Sequence, residues 1–173
     1  MRIETNRVEK RILLRAPCAR VWRAISDAKR FGAWFGVELD GPFVAGARLT
    51  GRIVPTQVDA EVARAQAPHS GLPFTWSVER IEPMRLFSFR WHPFAVDRAV
   101  DYSGEPTTLV VFELQEVEGG TQLTITESGF DQLPLERRAT AFASNDQGWA
   151  AQTRLIEKYL AGAGGDEGMA RQA

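Results

Sequence analysis

Few residues in this chain are of the kinds that do chemistry. It has only two histidines, His69 and His92, and one cysteine, Cys18, all far apart in sequence. Metal sites need several His, Cys, Asp or Glu at ligand spacing. Neither HExxH nor CxxC is present, so no metal is expected. Phosphate-cradling loops are missing too: Gly119-Gly120 reads as a hairpin turn, and there is no GxGxxG or GxxxxGK, so no cofactor is expected. Cys18 follows Pro17 at what reads as a helix N-terminus, a place that can lower a thiol's pKa. A small side chain in a first turn is its plainer use. His92 ends an aromatic strand just before Pro93, where it could act as a general base at a pocket mouth.

Two further polar groups interrupt an apolar stripe. From Pro134 to Leu160, steps of alternately four and three meet Leu135, Ala139, Phe142, Asp146, Trp149, Thr153, Ile156 and Leu160. That spacing puts them on one face of a helix. Pro134 suits the first turn, and Gly162 is a stop. Roughly 27 residues at about 1.5 Å each make a rod of about 40 Å, enough to cross a small domain. A carboxylate such as Asp146 on this face must be solvated, paired or aimed at a ligand. The competing expectation is that the helix turns Asp146 outward to solvent.

Positioning these groups falls to a run of short elements. Arg7 to Leu14 reads as a strand with Val8, Ile12 and Leu14 on one face. Val21, Trp22, Ile25 and Ala28 then recur at helical spacing, and Lys29 to Phe35 makes a second short helix carrying Phe31, Trp34 and Phe35. Gly41-Pro42 and Gly46 mark turns before a strand over Ala47 to Val54. Pro55 to Leu72 is polar and alanine-rich and reads as a long excursion, or as the extension of a hairpin. Phe74 and Trp76, then Phe87, Phe89 and Trp91 across the turn Glu82-Pro83-Met84, place large rings on one face of two antiparallel strands. Such a face must be covered. Arg90 falls on the opposite face by parity, toward solvent. His92 to Pro106 reads as a loop. Thr107 to Glu116 and Gln122 to Glu127 form another hairpin, with Val110, Phe112 and Leu114 facing one way and Leu123 and Ile125 pairing with them.

At 173 residues the chain suits one domain over 1–162, with a flexible tail over 163–173. Its 21 basic and 22 acidic residues give a net charge of −1, so there is no electrostatic case for nucleic acid or an anionic membrane. No segment has the length of a membrane span, and the N-terminus has no apolar leader core. A single cysteine excludes an intramolecular disulfide and fits a reducing compartment. The expectation is a soluble, cytoplasmic protein.

Four stretches carry a resemblance. VWRAISDAKRFGAWFG (Val21 to Gly36), FSFRWHPF (Phe87 to Phe94), GGTQLTITESGF (Gly119 to Phe130) and GWAAQTRLIEKYL (Gly148 to Leu160) resemble the SRPBCC superfamily. Within it they are most similar to the branch named after the activator of the ninety-kilodalton heat-shock chaperone's ATPase. The likeness runs from about Val8 to Leu160. It implies an α+β helix-grip fold of the START or birch-pollen-allergen type. In that fold a curved seven-stranded antiparallel sheet wraps a long C-terminal helix, with two short helices between strands 1 and 2. Members bind hydrophobic small molecules in an enclosed cavity, and a few are cyclases or hydrolases. The eukaryotic activators carry a separate domain for chaperone contact, for which this chain has no room, so that contact is not carried across.

Together these readings favour a binding protein over an enzyme. The partner would be a small hydrophobic ligand, held between the long helix and the sheet. Trp76, Phe87, Phe89, Trp91, Phe112, Phe142, Asp146, Trp149 and Thr153 are expected to line the cavity, with Tyr102 as another polar contributor. The alternatives are a cyclase- or dehydratase-type enzyme using Asp146 or His92, and a chaperone ATPase regulator acting through its outer surface. A homodimer is left open.

Overall fold

The computed structural model of the chain describes residues 6–162, so the tail expected over 163–173 lies outside the described residues. The elements run β1 (Arg7–Leu14), α1 (Cys18–Ser26), α2 (Ala28–Phe35), β2 (Val37–Leu39), β3 (Arg48–Ile53), α3 (Ala60–Gln66), β4 (Pro73–Glu82), β5 (Leu86–Trp91), β6 (Thr108–Val117), β7 (Gly120–Ser128) and α4 (Leu135–Ala161). The strands form one seven-stranded sheet in the order β1-β7-β6-β5-β4-β3-β2. Every pairing in it is antiparallel. Because β1 and β2 lie at opposite edges, α1 and α2 carry the chain across the sheet. This is the α+β helix-grip arrangement that the resemblance implies.

Local chemistry starts and stops the first helices. Pro17 precedes α1 with φ −61°, and α1 buries Cys18, Val21, Ala24 and Ile25 on one face. Asp27 then begins α2 by accepting hydrogen bonds from the Lys29 and Arg30 N–H groups, both at 3.0 Å. Gly36 ends α2 at φ 100°, a left-handed conformation that costs glycine little.

The segment read as an excursion between Pro55 and Leu72 contains α3 and a 3-10 turn over Ala67–His69. Asp59 caps α3, its Oδ1 accepting from the Val62 N–H at 3.0 Å. Gln66 ties the helix down, accepting from the Thr56 N–H at 2.7 Å and donating to the Phe35 carbonyl at 3.2 Å. No residue of α3 is fully buried, so no apolar period announces it.

The 27 residues of α4 reach about 40 Å and pack on β1, α1 and α2. Its buried residues are Ala141, Trp149, Leu155, Ile156, Tyr159 and Leu160, whereas Leu135 is 76% exposed. Alternating steps of four and three assume about 3.5 residues per turn. A straight helix has about 3.6, so a stripe counted out from Trp149 drifts by roughly 20° per heptad. Leu135 and Ala139 have accordingly rotated out of the core.

A close backbone approach makes the seating of α2 on β2 testable. A Cβ at Gly32 would stand 2.3 Å from the Val37 carbonyl oxygen, while one at Gly104 would meet nothing within 4 Å. Gly32→Ala should therefore cost about 1–3 kcal/mol, as overpacking does, lowering Tm by roughly 3–10 °C. Gly104→Ala should leave Tm nearly unchanged. Equal melting of the two variants would contradict this packing.

Candidate functional site

Rings from α2, three neighbouring strands and α4 form one layer. Trp76 on β4 stacks on Phe89 of β5 at 4.3 Å between centroids. Trp91 reaches Trp76 at 5.5 Å and Trp149 of α4 at 5.8 Å. Phe112 of β6 and Phe35 of α2 close on Trp149 at 5.7 and 5.8 Å. Phe87 joins through Phe89 and Phe112. Six of the nine residues expected to line a cavity thus pack directly against one another in one contiguous cluster between helix and sheet. Phe142 stands apart, half-buried against Phe130 at 5.3 Å.

The two polar members of that expectation do not face this layer. The side chain of Asp146 is 47% exposed and pairs with Lys10 on β1 at 2.9 Å. Thr153 donates its hydroxyl hydrogen to the Ala150 carbonyl of its own helix at 2.7 Å. The expectation that Asp146 supplies polarity to the interior is corrected: the residue that turns inward is its neighbour, Asn145.

What Asn145 meets is Glu127, a fully buried carboxylate on β7. Asn145 Nδ2 donates to Glu127 Oε1 at 2.9 Å, and Trp149 Nε1 donates to the same oxygen at 2.8 Å. On the other oxygen, Oε2 accepts from Trp91 Nε1 at 2.7 Å and from Thr108 Oγ1 at 2.6 Å. An ionised carboxylate is acceptor-only with about four lone-pair sites, and here each has a donor. All four donors are neutral. The sheet explains the placement: Trp91 is paired with Thr108, and Glu127 with Val110, two residues further along the same face of β6. On α4, Asn145 and Trp149 are four residues apart and so share a face. Glu127 had a signal in the sequence, since it continues the inward parity of Leu123 and Ile125.

Beside this node the loop over 92–107 is fastened by one guanidinium. Arg137, in the first turn of α4, donates to Glu105 Oε1, the Phe94 carbonyl and the Pro93 carbonyl, each at 3.0 Å. Its cationic carbon lies 4.7 Å from the Tyr102 ring centroid. Phe94 sits at φ 49°, a conformation uncommon outside glycine. His92 Nε2 donates to the Glu105 carbonyl at 3.1 Å, so that nitrogen carries a hydrogen and serves the loop. Asp146 is ion-paired at the surface and His92 engages the loop through Nε2, so neither of the two residues proposed for acid–base work joins the ring layer.

Cys18 is buried, donates to the Met84 carbonyl at 3.3 Å, and has its pKa raised by burial and then by nearby Glu116. That is the opposite of an activated thiol. A groove of about 580 Å³ opens at the C-terminal end of α4, with buried Leu14 and Leu155 and exposed Arg15, Arg154 and Lys158 along it. Lys158 is engaged there with Asp59 at 3.2 Å. Among the described residues no cluster of three or more His, Cys, Asp or Glu could hold a metal, and no helix is long and apolar enough to cross a membrane.

The model of the family described as "Activator of Hsp90 ATPase homolog 1-like protein" matches residues 15–161. The chain belongs to that family. No curated protein sequence matches this family member. Among solved structures it is similar to protein MLL2253 from Mesorhizobium loti at TM-score 0.65 and 21% identity, covering 90% of this chain and 96% of that one. The Aha1 dimer from Colwellia psychrerythraea aligns at TM-score 0.63 and 16% identity, covering 89% and 95%. DynU16, a protein in the dynemicin biosynthetic locus, aligns at TM-score 0.64 and 23% identity over 90% of this chain. This chain spans about half of DynU16, 47% of its length. At these identities the likeness concerns the fold.

Replacing Glu127 tests what the node contributes. Glu127→Leu keeps the volume roughly and leaves two indole N–H groups, an amide and a hydroxyl without their acceptor. The expected loss is about 3–5 kcal/mol in urea unfolding. A loss below about 1 kcal/mol would show that these four bonds contribute little net stability.

Proposed function

We propose that this family member binds a small hydrophobic or aromatic molecule between α4 and the inner face of the sheet, in the ring layer beside Glu127. The observation that carries the reading is the buried carboxylate itself, held by neutral donors alone. Taking a carboxylate out of water is expensive, and apolar residues in place of a whole buried polar set, acceptor and donors together, often serve stability as well or better. Small-molecule sites, by contrast, are mostly apolar with a few placed polar groups, which is the composition here. Trp91 offers the way in. It is half-buried and stands where β5 runs into the 92–107 loop, so a rotation of its side chain on ligand entry would break the bond to Glu127 and leave the backbone pairing with Thr108 intact. The site lies inside one subunit, so the reading does not depend on pairing with a second copy or on contact with a chaperone.

Thermal shift and tryptophan emission against a panel of hydrophobic aromatic compounds test this together. A ligand at about 100 times its Kd should add about 2.7 kcal/mol, raising Tm by roughly 5–10 °C for a chain of this size. The emission should change as well, because Trp91 and Trp149 form the site. A panel in which no compound moves either signal would contradict the proposal.

A further inference from the structure

We infer that the ligand of this site is a small organic cation, a protonated amine carried on an apolar or aromatic body. The inference rests on the ring layer being the ligand site, and it follows from charge. Glu127 is fully buried, and its hydrogen-bond partners are two indoles, an amide and a hydroxyl. None of these neutralises it. The part-buried cations flanking α4 have other partners: Lys10 pairs with Asp146, Arg137 with Glu105, two backbone carbonyls and the Tyr102 ring, and Arg138 donates to the Leu133 carbonyl at 2.9 Å. Among the described residues the interior therefore holds a carboxyl group whose hydrogen-bond partners carry no positive charge. Buried charges are ordinarily paired.

The surrounding groups suit a cation. Trp91, Trp149, Phe35 and Phe112 lie with ring centroids 5.7–6.2 Å apart around this end of the layer. Aromatic faces attract ammonium groups, most strongly when both are desolvated. If Trp91 swings outward, Glu127 Oε2 loses one donor and keeps Thr108, while Oε1 keeps Asn145 and Trp149. An ammonium N–H can then occupy the position of the indole N–H and bring the missing charge with it. A neutral ligand would supply the hydrogen bond alone. An anionic one would meet Glu127 with like charge.

The test uses the full chain and three probes of one shape at about pH 7, where the amine is protonated and the acid ionised. These are 1-naphthylmethylamine, 1-naphthalenemethanol and 1-naphthoate, titrated by calorimetry and tryptophan emission. The amine should bind about tenfold or more tighter than the alcohol, and the naphthoate weakest. Glu127→Gln should bring amine and alcohol within about twofold of each other, since the charge is gone while the shape stays. Should that variant fail to fold, Trp91→Phe decides. It removes the competing indole N–H, so the amine should bind more tightly while its preference over the alcohol persists. Alcohol or naphthoate binding as tightly as the amine would overturn the inference and leave the site standing. Failure of all three probes on both wild type and Trp91→Phe would overturn the site as well.

Discussion

One hydrogen-bonded carboxylate ties the helix to the sheet. Glu127 draws its donors from β5, β6 and two successive turns of α4. Such a group tolerates little displacement, because a donor or acceptor left unmade in a dry interior costs far more than a made one contributes. A slip of one residue in β7 would turn Glu127 to the outer face together with Leu123 and Ile125. A modest rotation of α4 would withdraw Asn145 and Trp149 at once. Strand register and helix rotation thereby both bear on a single side chain, alongside the buried Leu123 and Ile125.

Weaker ties run along the rest of α4. Arg137 fastens its first turn to the 92–107 loop, Lys10 holds Asp146 from the sheet edge, Gln152 donates to the Phe35 carbonyl at 3.0 Å, and Arg20 reaches the Leu160 carbonyl. Lys158 joins the last turns to α3 through Asp59. Exposed pairs of this kind contribute little individually. The Arg137 pair differs, since its side chain and that of Glu105 are only 18% and 20% exposed, and its fork engages two carbonyls besides the carboxylate. Two kinds of restraint therefore act on one helix: a buried node that sets its rotation, and peripheral contacts that set where its ends lie.

Much of this was legible in the residues. Alternation located β4 through β7, because each strand has one face buried, and the rings it pointed inward do meet in a single layer. The length of α4 and its two boundaries followed from Pro134, Gly162 and the apolar period. The identity of its inward polar residue did not. Asn145 and Asp146 are adjacent, and a count at 3.5 residues per turn cannot separate them, while the real helix and the pull of Glu127 choose Asn145. Glu127 itself was hidden by its type: a glutamate at the end of a strand is usually solvated, and only its parity with Ile125 pointed inward. The short β2 and the surface helix α3 bury too little to leave a pattern, being held instead by backbone pairing and by the caps from Asp59 and Gln66.

In the ligand-free protein two indole N–H groups, those of Trp91 and Trp149, hold one carboxylate. Proton–nitrogen NMR of the uniformly labelled chain reads them directly, with the half-exposed Trp22 as an internal reference. The Trp91 and Trp149 indole protons should resonate downfield, as hydrogen bonds to a charged acceptor do. They should also exchange with solvent about a hundredfold or more slowly than that of Trp22. If either exchanges as fast as Trp22, the node does not hold helix and sheet together, and the site built around it falls.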